Sequence, residues 1–348
     1  MRIVHAANFP LVRLKGCFMN SMPFKITNGL IRNGHQVLEY PDRDVLRMFG
    51  KVFGSKRANR NFLEYCLMVQ PDAIILQHCD TILPETLREI RSKLPNVKIM
   101  QINVDSINPF FDSHNIGNIK SKLAVVDWTL STTADKRRFE VFGQEYQGKI
   151  GFIPNPVDAS IETGRAFERE VLEYDVICAA NPKSMRQFCG KLEMTTDIVN
   201  RIAKNIKTEK VLFPKVIGDK LEGANYQRTL ADCAIGINLS QTNDNYLYTS
   251  DRLAHLMGNG VLAVIDARTG YRDIFNEDEA AFYETEEDFF RLVNFYLENP
   301  KKRMKVAENG WKKYHKLFNE RVLAKYAADL LSGGFKASDY PFPTIGGK

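Results

Sequence analysis

Short apolar-rich runs recur along the first half of the chain, at residues 3–7, 37–40, 73–76, 98–103, 127–131 and 150–153. Runs of this length without polar alternation predict strands buried on both faces. Between them the apolar spacing changes to three and four. Phe18, Met22, Ile26 and Leu30 line one face of a helix that starts near Ser21-Met22-Pro23, with Pro23 tolerable in the first turn, and stops at Gly34. Residues 84–94 form another helix. At 154–169 the texture shifts to Pro, Asn, Asp, Gly and charge, which reads as a linker. The alternation then restarts: strand 174–180, helix 184–206, strand 215–218, helix 224–231 and strand 234–240. A helix opening near residue 251, an apolar strand at 261–265, a short strand at 281–283 and an amphipathic helix over 286–298 follow, the last with apolar positions at 289, 292, 293 and 296. A final helix spans 320–331. The tail 332–348, rich in Gly and Pro, reads as extended or disordered. Strands alternating with helices predict an α/β protein of two Rossmann-like domains, 1–155 and 170–319, each a parallel sheet covered on both faces. Two such domains joined by a linker face a central cleft, and ligands bind at the carboxyl ends of the strands.

The polar loop 241–250 is the first place to look for a ligand. Its last residues, Thr249 and Ser250, can cap the helix that begins Asp251-Arg252-Leu253-Ala254-His255, and Arg252 lies one turn inside. A capped helix start beside a guanidinium suits an anion, and in α/β units that anion is commonly a phosphate. Ser240, closing the strand before the loop, joins Thr249, Ser250, Asp251, Arg252 and His255 as a candidate for binding it.

The stretch from Ser250 through Gly258-Asn259-Gly260, the apolar strand, Gly270-Tyr271-Arg272-Asp273 and on to Glu308 and Gly310 resembles the C-terminal half of the GT-B glycosyltransferases, most closely the spore-maturation-type branch of the group 1-like enzymes. The resemblance continues more weakly over most of the chain. It implies a nucleotide-diphosphate sugar as donor, bound by the C-terminal domain, and a glycan, glycolipid or protein acceptor. It implies a helix 320–331 crossing back to the N-terminal domain. The family's ribose-binding acid stands five places before the glycine; here that position is His255, whose neutral ring accepts with one atom rather than two. A basic residue just past the first strand of the second domain neutralises the departing diphosphate in such enzymes, which points to Lys183 or Arg186 working beside Arg252. No divalent metal or other cofactor is then required. The loop 8–16, with Arg13, Lys15 and Gly16, faces the donor phosphates or the acceptor in the family, and Lys15 and Gly16 are its candidates here.

Transfer by inversion also needs a base for the acceptor hydroxyl. Two tetrads sit at predicted strand ends, Gln77-His78-Cys79-Asp80 and Asn103-Val104-Asp105-Ser106. Asp105 is the first candidate, Asp80 or His78 the second; each alone also suits a turn or cap. Asp42-Arg43-Asp44 has the Asp-x-Asp form of metal-dependent glycosyltransferases, but three common residue types after a strand read better as a turn, so no metal site is assigned. Loop 8–16 lacks G-x-G-x-x-G, which argues against a nicotinamide-dependent oxidoreductase. The competing function is a nucleotide-sugar-binding protein of the same fold without catalysis.

Composition adds boundaries. The chain has 348 residues, 44% hydrophobic and 26% charged, as in soluble globular proteins. No apolar run approaches the ~20 residues of a membrane span, and the first residues lack a signal-peptide plan, so a cytoplasmic protein is expected. Its six cysteines lack zinc or redox spacing and read as reduced thiols. The net charge of +6 is uneven: residues 45–61 carry Arg47, Lys51, Lys56, Arg57 and Arg60 and no acid, interleaved with Met48, Phe49, Val52 and Phe53. That pattern is either a solvated face or a peripheral contact with anionic lipid at the inner face of the membrane. Nucleic acid is not expected, since no aromatic-rich basic groove or recognition-helix pattern accompanies the charge.

Overall fold

The structure, a computed structural model, describes residues 1–12, 15–50, 54–108 and 113–345. It divides into two units, Met1–Pro154 with Glu320–Lys348, and Asn155–Asn319. No helix among the described residues is long and apolar enough to cross a membrane.

The first unit is built on six strands, β1 (Arg2–Ala7), β2 (Gln36–Pro41), β3 (Ala73–Gln77), β4 (Lys98–Asn103), β5 (Trp128–Ser131) and β6 (Ile150–Phe152), all parallel in the order β2-β1-β3-β4-β5-β6. All five residues of β3 are buried, as its unbroken apolar run predicts. Helices α1 (Met22–Arg32), α2 (Asp42–Met48), α3 (Gly54–Val69), α4 (Pro84–Lys93), α5 (Ser113–Lys122) and α6 (Lys136–Phe139) connect them. The strand order turns back between β1 and β3, so the loops after β1 and β3 diverge at the carboxyl edge of the sheet. Phe18 is not on the face of α1 as expected. The helix begins only at Met22, with Pro23 in its first turn, and Phe18 lies in the preceding turns, 47% exposed.

The C-terminal helix Glu320–Ser332 packs against α1. Gly29 makes this possible: a Cβ there would stand 2.0 Å from the Glu320 carbonyl oxygen and 2.7 Å from Ala324 Cβ. Arg32 Nη1 meets Glu320 Oε1 at 2.6 Å beside the contact. Gly29→Ala gains up to ~1 kcal/mol of helix propensity, but overpacking costs about 1–3 kcal/mol. A lower Tm is therefore the expected net result, read by thermal unfolding of the whole chain. Of the two expectations for the tail, extended or disordered, disorder does not hold over residues 332–345. Tyr340 and Phe342 are buried against Tyr326, with ring centroids 4.9 and 5.6 Å away, and Phe152 N–H donates to Thr344 O at 3.3 Å. Three aromatic rings give this Gly- and Pro-rich segment enough apolar area to order it.

The second unit has a five-stranded parallel sheet, β10-β7-β11-β12-β13, with β7 at Tyr174–Ile177, β10 at Val211–Leu212, β11 at Cys233–Asn238, β12 at Leu262–Asp266 and β13 at Ala281–Tyr283. Its helices are α7 (Thr195–Asn205), α8 (Gly223–Leu230), α9 (Arg252–Gly258), α10 (Glu286–Glu298) and α11 (Pro300–Leu317). Three expectations are corrected. The segment 154–169, expected as a linker, is folded into the second unit from Asn155 onward: Val157, Asp158 and Glu162 are buried, and Ala166 N–H donates to Asn259 O at 3.0 Å. The helix expected over 184–206 begins only at Thr195. Before it comes an antiparallel hairpin of β8 (Met185–Phe188) and β9 (Lys191–Met194). Cys189 and Gly190, at φ +49° and +80°, form its two-residue turn, and positive φ at both positions is the twist that joins adjacent strands. The strand expected at 215–218 is a turn, with Lys215 and Gly218 at positive φ; the pairing falls earlier, on Val211 and Leu212. All six cysteines are free thiols.

Candidate functional site

At the carboxyl edge of the first sheet, β3 and β4 place two of the predicted residues together. His78 follows β3 with φ +47°, a left-handed conformation unusual for a side chain of its size, and its N–H donates to Ile102 O at 2.9 Å. Such strain persists only where the surroundings impose it, and it concentrates at functional sites. His78 Nε2 lies 3.3 Å from Asp105 Oδ2. Asp105 is held in turn by its own backbone, whose carbonyl accepts from Asn103 Nδ2 at 2.6 Å. With Asp105 taking the Nε2 proton side, Nδ1 is the nitrogen left to accept a proton from a ligand.

Asp80 is elsewhere engaged, with Oδ1 3.3 Å from the Arg43 guanidinium. Asp42 and Asp44, the Asp-x-Asp pair, are buried in the first turn of α2, where Asp42 Oδ2 accepts from the Thr81 hydroxyl at 2.6 Å and Asp44 Oδ2 from Val12 N–H at 2.6 Å. Burial pushes the Asp42 carboxyl above the usual range. Lys15 is exposed, at φ +48°, and Gly16 follows at φ +77°, its N–H bonded to Pro10 O. Arg13 lies outside the described residues.

In the second unit the predicted cation Arg186, on β8, lies within electrostatic reach of Arg252, at the start of α9. Burial, and then the Arg252 guanidinium, hold Arg186 below the ordinary arginine range. Arg252 is only 7% exposed; its Nε donates to Ala179 O at 3.1 Å and Nη1 to Leu239 O at 2.8 Å, which bolts it across the ends of β7 and β11. Around them stand buried polar atoms with no hydrogen-bond partner: Arg186 Nε, both amide atoms of Asn238, Ser240 Oγ and Ser250 Oγ. Buried polar groups are nearly always paired, so a cluster of orphans at one strand edge calls for an occupant.

Loop 241–250 is rigidly held. Asn243 N–H donates to Gln187 Oε1 at 2.5 Å, and Asn243 Nδ2 to Gln187 O at 3.0 Å and Asp266 Oδ2 at 2.9 Å, which ties loop, hairpin and β12 together. The expected cap is not formed. Helix α9 has seven residues and no side-chain cap, Asp251 standing at the cap position with helical φ and ψ; Thr249 Oγ1 faces the Tyr271 hydroxyl at 3.4 Å instead. Lys183 is exposed in the turn before β8, its N–H bonded to Asn181 Oδ1.

His255 departs furthest from its expected ribose contact. It is 3% exposed, its Nδ1 is 2.9 Å from Glu162 Oε1, its Nε2 is 3.7 Å from Asp251 Oδ2, and Tyr226 packs edge-on against its ring. Glu162 also accepts Asp158 N–H at 2.9 Å. The substituted imidazole thus clamps segment 155–169 to α9 from within. Glu162→Ala would remove the acceptor for Asp158 N–H and the carboxylate beside His255, at about 1–3 kcal/mol for a lost partner; chemical denaturation should show a correspondingly lower stability. Sequence reasoning missed Glu162 because the segment reads as a linker. Asn238 left a usable signal, a lone amide in the apolar run 233–239.

Residues 183–331 match a family described as glycosyl transferase-like, a span covering most of the second unit. No curated protein matches the chain by sequence. Among solved structures, the chain is similar to Anabaena Alr3699/HepE in complex with UDP-glucose, at 13% identity and TM-score 0.61, covering 96% of this chain and 100% of that one. It is similar to sucrose-phosphate synthase from Thermosynechococcus elongatus at 10% identity and TM-score 0.60, covering 96% and 98%. A glycosyltransferase from Rickettsia africae aligns at 10% identity and TM-score 0.57, over 97% and 99%. Two parallel Rossmann-like sheets with neighbours along their full length define an α/β protein of the GT-B fold.

Proposed function

We propose that the protein is a metal-independent glycosyltransferase of the spore-maturation-type branch, moving a sugar from a nucleotide-diphosphate donor to a hydroxyl of a glycan, glycolipid or protein in cell-surface polysaccharide assembly. The observation that carries this reading is the set of orphaned buried polar atoms, Arg186 Nε among them, beside the Arg252 guanidinium at the carboxyl edge of the second sheet. Two adjacent guanidiniums repel; a diphosphate between their donors turns that repulsion into charge-assisted hydrogen bonds and satisfies the orphans. The same pair is poised for the negative charge that grows on the leaving diphosphate as the anomeric C–O bond breaks. His78 supplies the base: in an inverting displacement the acceptor oxygen attacks the anomeric carbon while its proton passes to Nδ1, the imidazole being oriented by Asp105.

The alternative is a nucleotide-sugar-binding protein without turnover, suggested by the burial of His255 against Glu162. A thermal-shift screen with UDP, GDP, dTDP and CMP, followed by transfer and hydrolysis assays with the matching sugar nucleotides, separates the two. Stabilisation of ~2.7 kcal/mol at a hundredfold excess over Kd together with product supports the transferase; binding throughout without product supports the alternative; no binding removes both.

The protein works in the cytoplasm, on this reading, with a peripheral contact at the inner membrane face through 45–61. Arg47, Met48, Lys56, Arg57 and Arg60 are exposed there; Lys51, Val52 and Phe53 lie outside the described residues. Each basic residue adds ~1 kcal/mol near an anionic surface, so flotation with phosphatidylserine vesicles, and none with phosphatidylcholine alone, is the supporting result.

A further inference from the structure

A small cavity opens beneath His78, between the ends of β3 and β4 and helix α5. His78, Asp80, Asn103, Asn115, Asn118 and Lys122 are among the residues that line it. Lys122 is the unusual member. It is the last residue of α5, only 4% exposed, and its ammonium hydrogen-bonds no group among the described residues. Removing an ammonium from water costs several kcal/mol unless a partner compensates. The nearby carboxylates do so only partly. Asp42 is buried and bonded to the Thr81 hydroxyl, Asp80 is held by Arg43, and neither forms an ion pair with the lysine. Burial accordingly holds Lys122 below the usual lysine range, while its place at a helix C-terminus favours its charged form.

The amides around it are fixed by other bonds. Asn103 Nδ2 donates to Asp105 O, Asn115 Nδ2 to Ser106 O at 2.8 Å, and Gln101 Nε2 to Ile119 O and Thr129 Oγ1. The walls are therefore set without help from the lysine, and its charge points to a ligand. The cavity, about 30 Å³, holds roughly two waters. That suits one small charged substituent and excludes a sugar ring.

We propose that this cavity is a subsite for an anionic substituent, a carboxylate or phosphate on the acceptor sugar, and that Lys122 selects for it. The inference rests on the transferase reading for the acceptor role. An acceptor anchored here by its charged group would present a neighbouring hydroxyl to His78, on the same cavity wall. Lys122 is thus a specificity residue and has no part in the chemical step.

The test is calorimetric titration of the full chain with methyl β-D-glucuronide, glucose 6-phosphate and neutral methyl β-D-glucoside. One of the anionic sugars should bind at least tenfold more tightly than the glucoside, and which one does so identifies the anion. Lys122→Gln, and Lys122→Met with its apolar stem retained, should bring that ratio to within twofold while UDP binding is unchanged. Equal affinities in the wild-type chain overturn the proposal, as does a preference that survives in a folded variant. If neither variant folds, the wild-type ratio decides. The two readings fail separately: UDP binding and turnover without discrimination remove only the subsite, whereas discrimination without nucleotide binding or turnover leaves an anion site whose ligand is not an acceptor.

Discussion

Arg186→Ala is expected to weaken binding of the nucleoside diphosphate by roughly 10- to 100-fold, matching the ~1.5–3 kcal/mol of one charged hydrogen bond, while leaving the Tm of the unliganded protein unchanged or higher. The two halves of this result have one cause. Without a ligand, Arg186 is a desolvated cation beside a second cation, with its Nε unbonded; deleting it removes a repulsion. With a diphosphate in place, the same group supplies charge-assisted donors to an anion in a low-dielectric site, where such bonds are strongest. Arg252→Ala should behave differently. Its guanidinium also satisfies the carbonyls of Ala179 and Leu239, so its loss should lower both affinity and Tm. Titration calorimetry and thermal unfolding on both variants check the contrast. Unchanged nucleotide affinity in Arg186→Ala would falsify the assignment of this edge to the diphosphate.

The contrast also shows what the sequence could and could not reveal. Strand β13 and helix α10 carry an unbroken apolar run and a clean amphipathic period respectively, and their predicted limits coincide with those observed. Periodicity reports burial, and these elements are set by burial alone. The hairpin carrying Arg186 failed because residues 185–194 are short and half-exposed, and the decisive signal was two residues, Cys189-Gly190, rather than a period. The segment 155–169 failed for the opposite reason: its polar residues are buried because they bond to one another and to α9, as Glu162 does to His255, and composition cannot distinguish satisfied polarity from exposed polarity. Candidate site residues were found at strand ends, where the topology of parallel sheets puts ligands. Their division of labour was not visible. That His78 faces Asp105, while Asp80 is taken by Arg43, depends on which side chains the loops after β3 and β4 turn toward each other.

That division of labour yields the larger kinetic prediction. His78→Ala should lower kcat by about 10²- to 10⁴-fold, the usual range for a positioned general base, with donor affinity preserved because the residue belongs to the other sheet. Asp105→Asn keeps the shape of the pair but exchanges a charged acceptor for an amide that no longer fixes the imidazole tautomer or stabilises the imidazolium formed on proton transfer. It should therefore lose less than His78→Ala, and the double variant should lose little more than His78→Ala alone, since residues acting as a unit are not additive. Asp80→Asn breaks a half-exposed pair with Arg43 and keeps the shape of the cavity wall, so it should leave kcat within a few-fold. Steady-state kinetics on the four variants, with the anomeric configuration of the product determined by NMR, tests the scheme. Inverted product with this order of losses supports His78 as the base. Asp105→Asn falling below His78→Ala would return the role to the carboxylate, and retained configuration would show that no acceptor base of this kind is used.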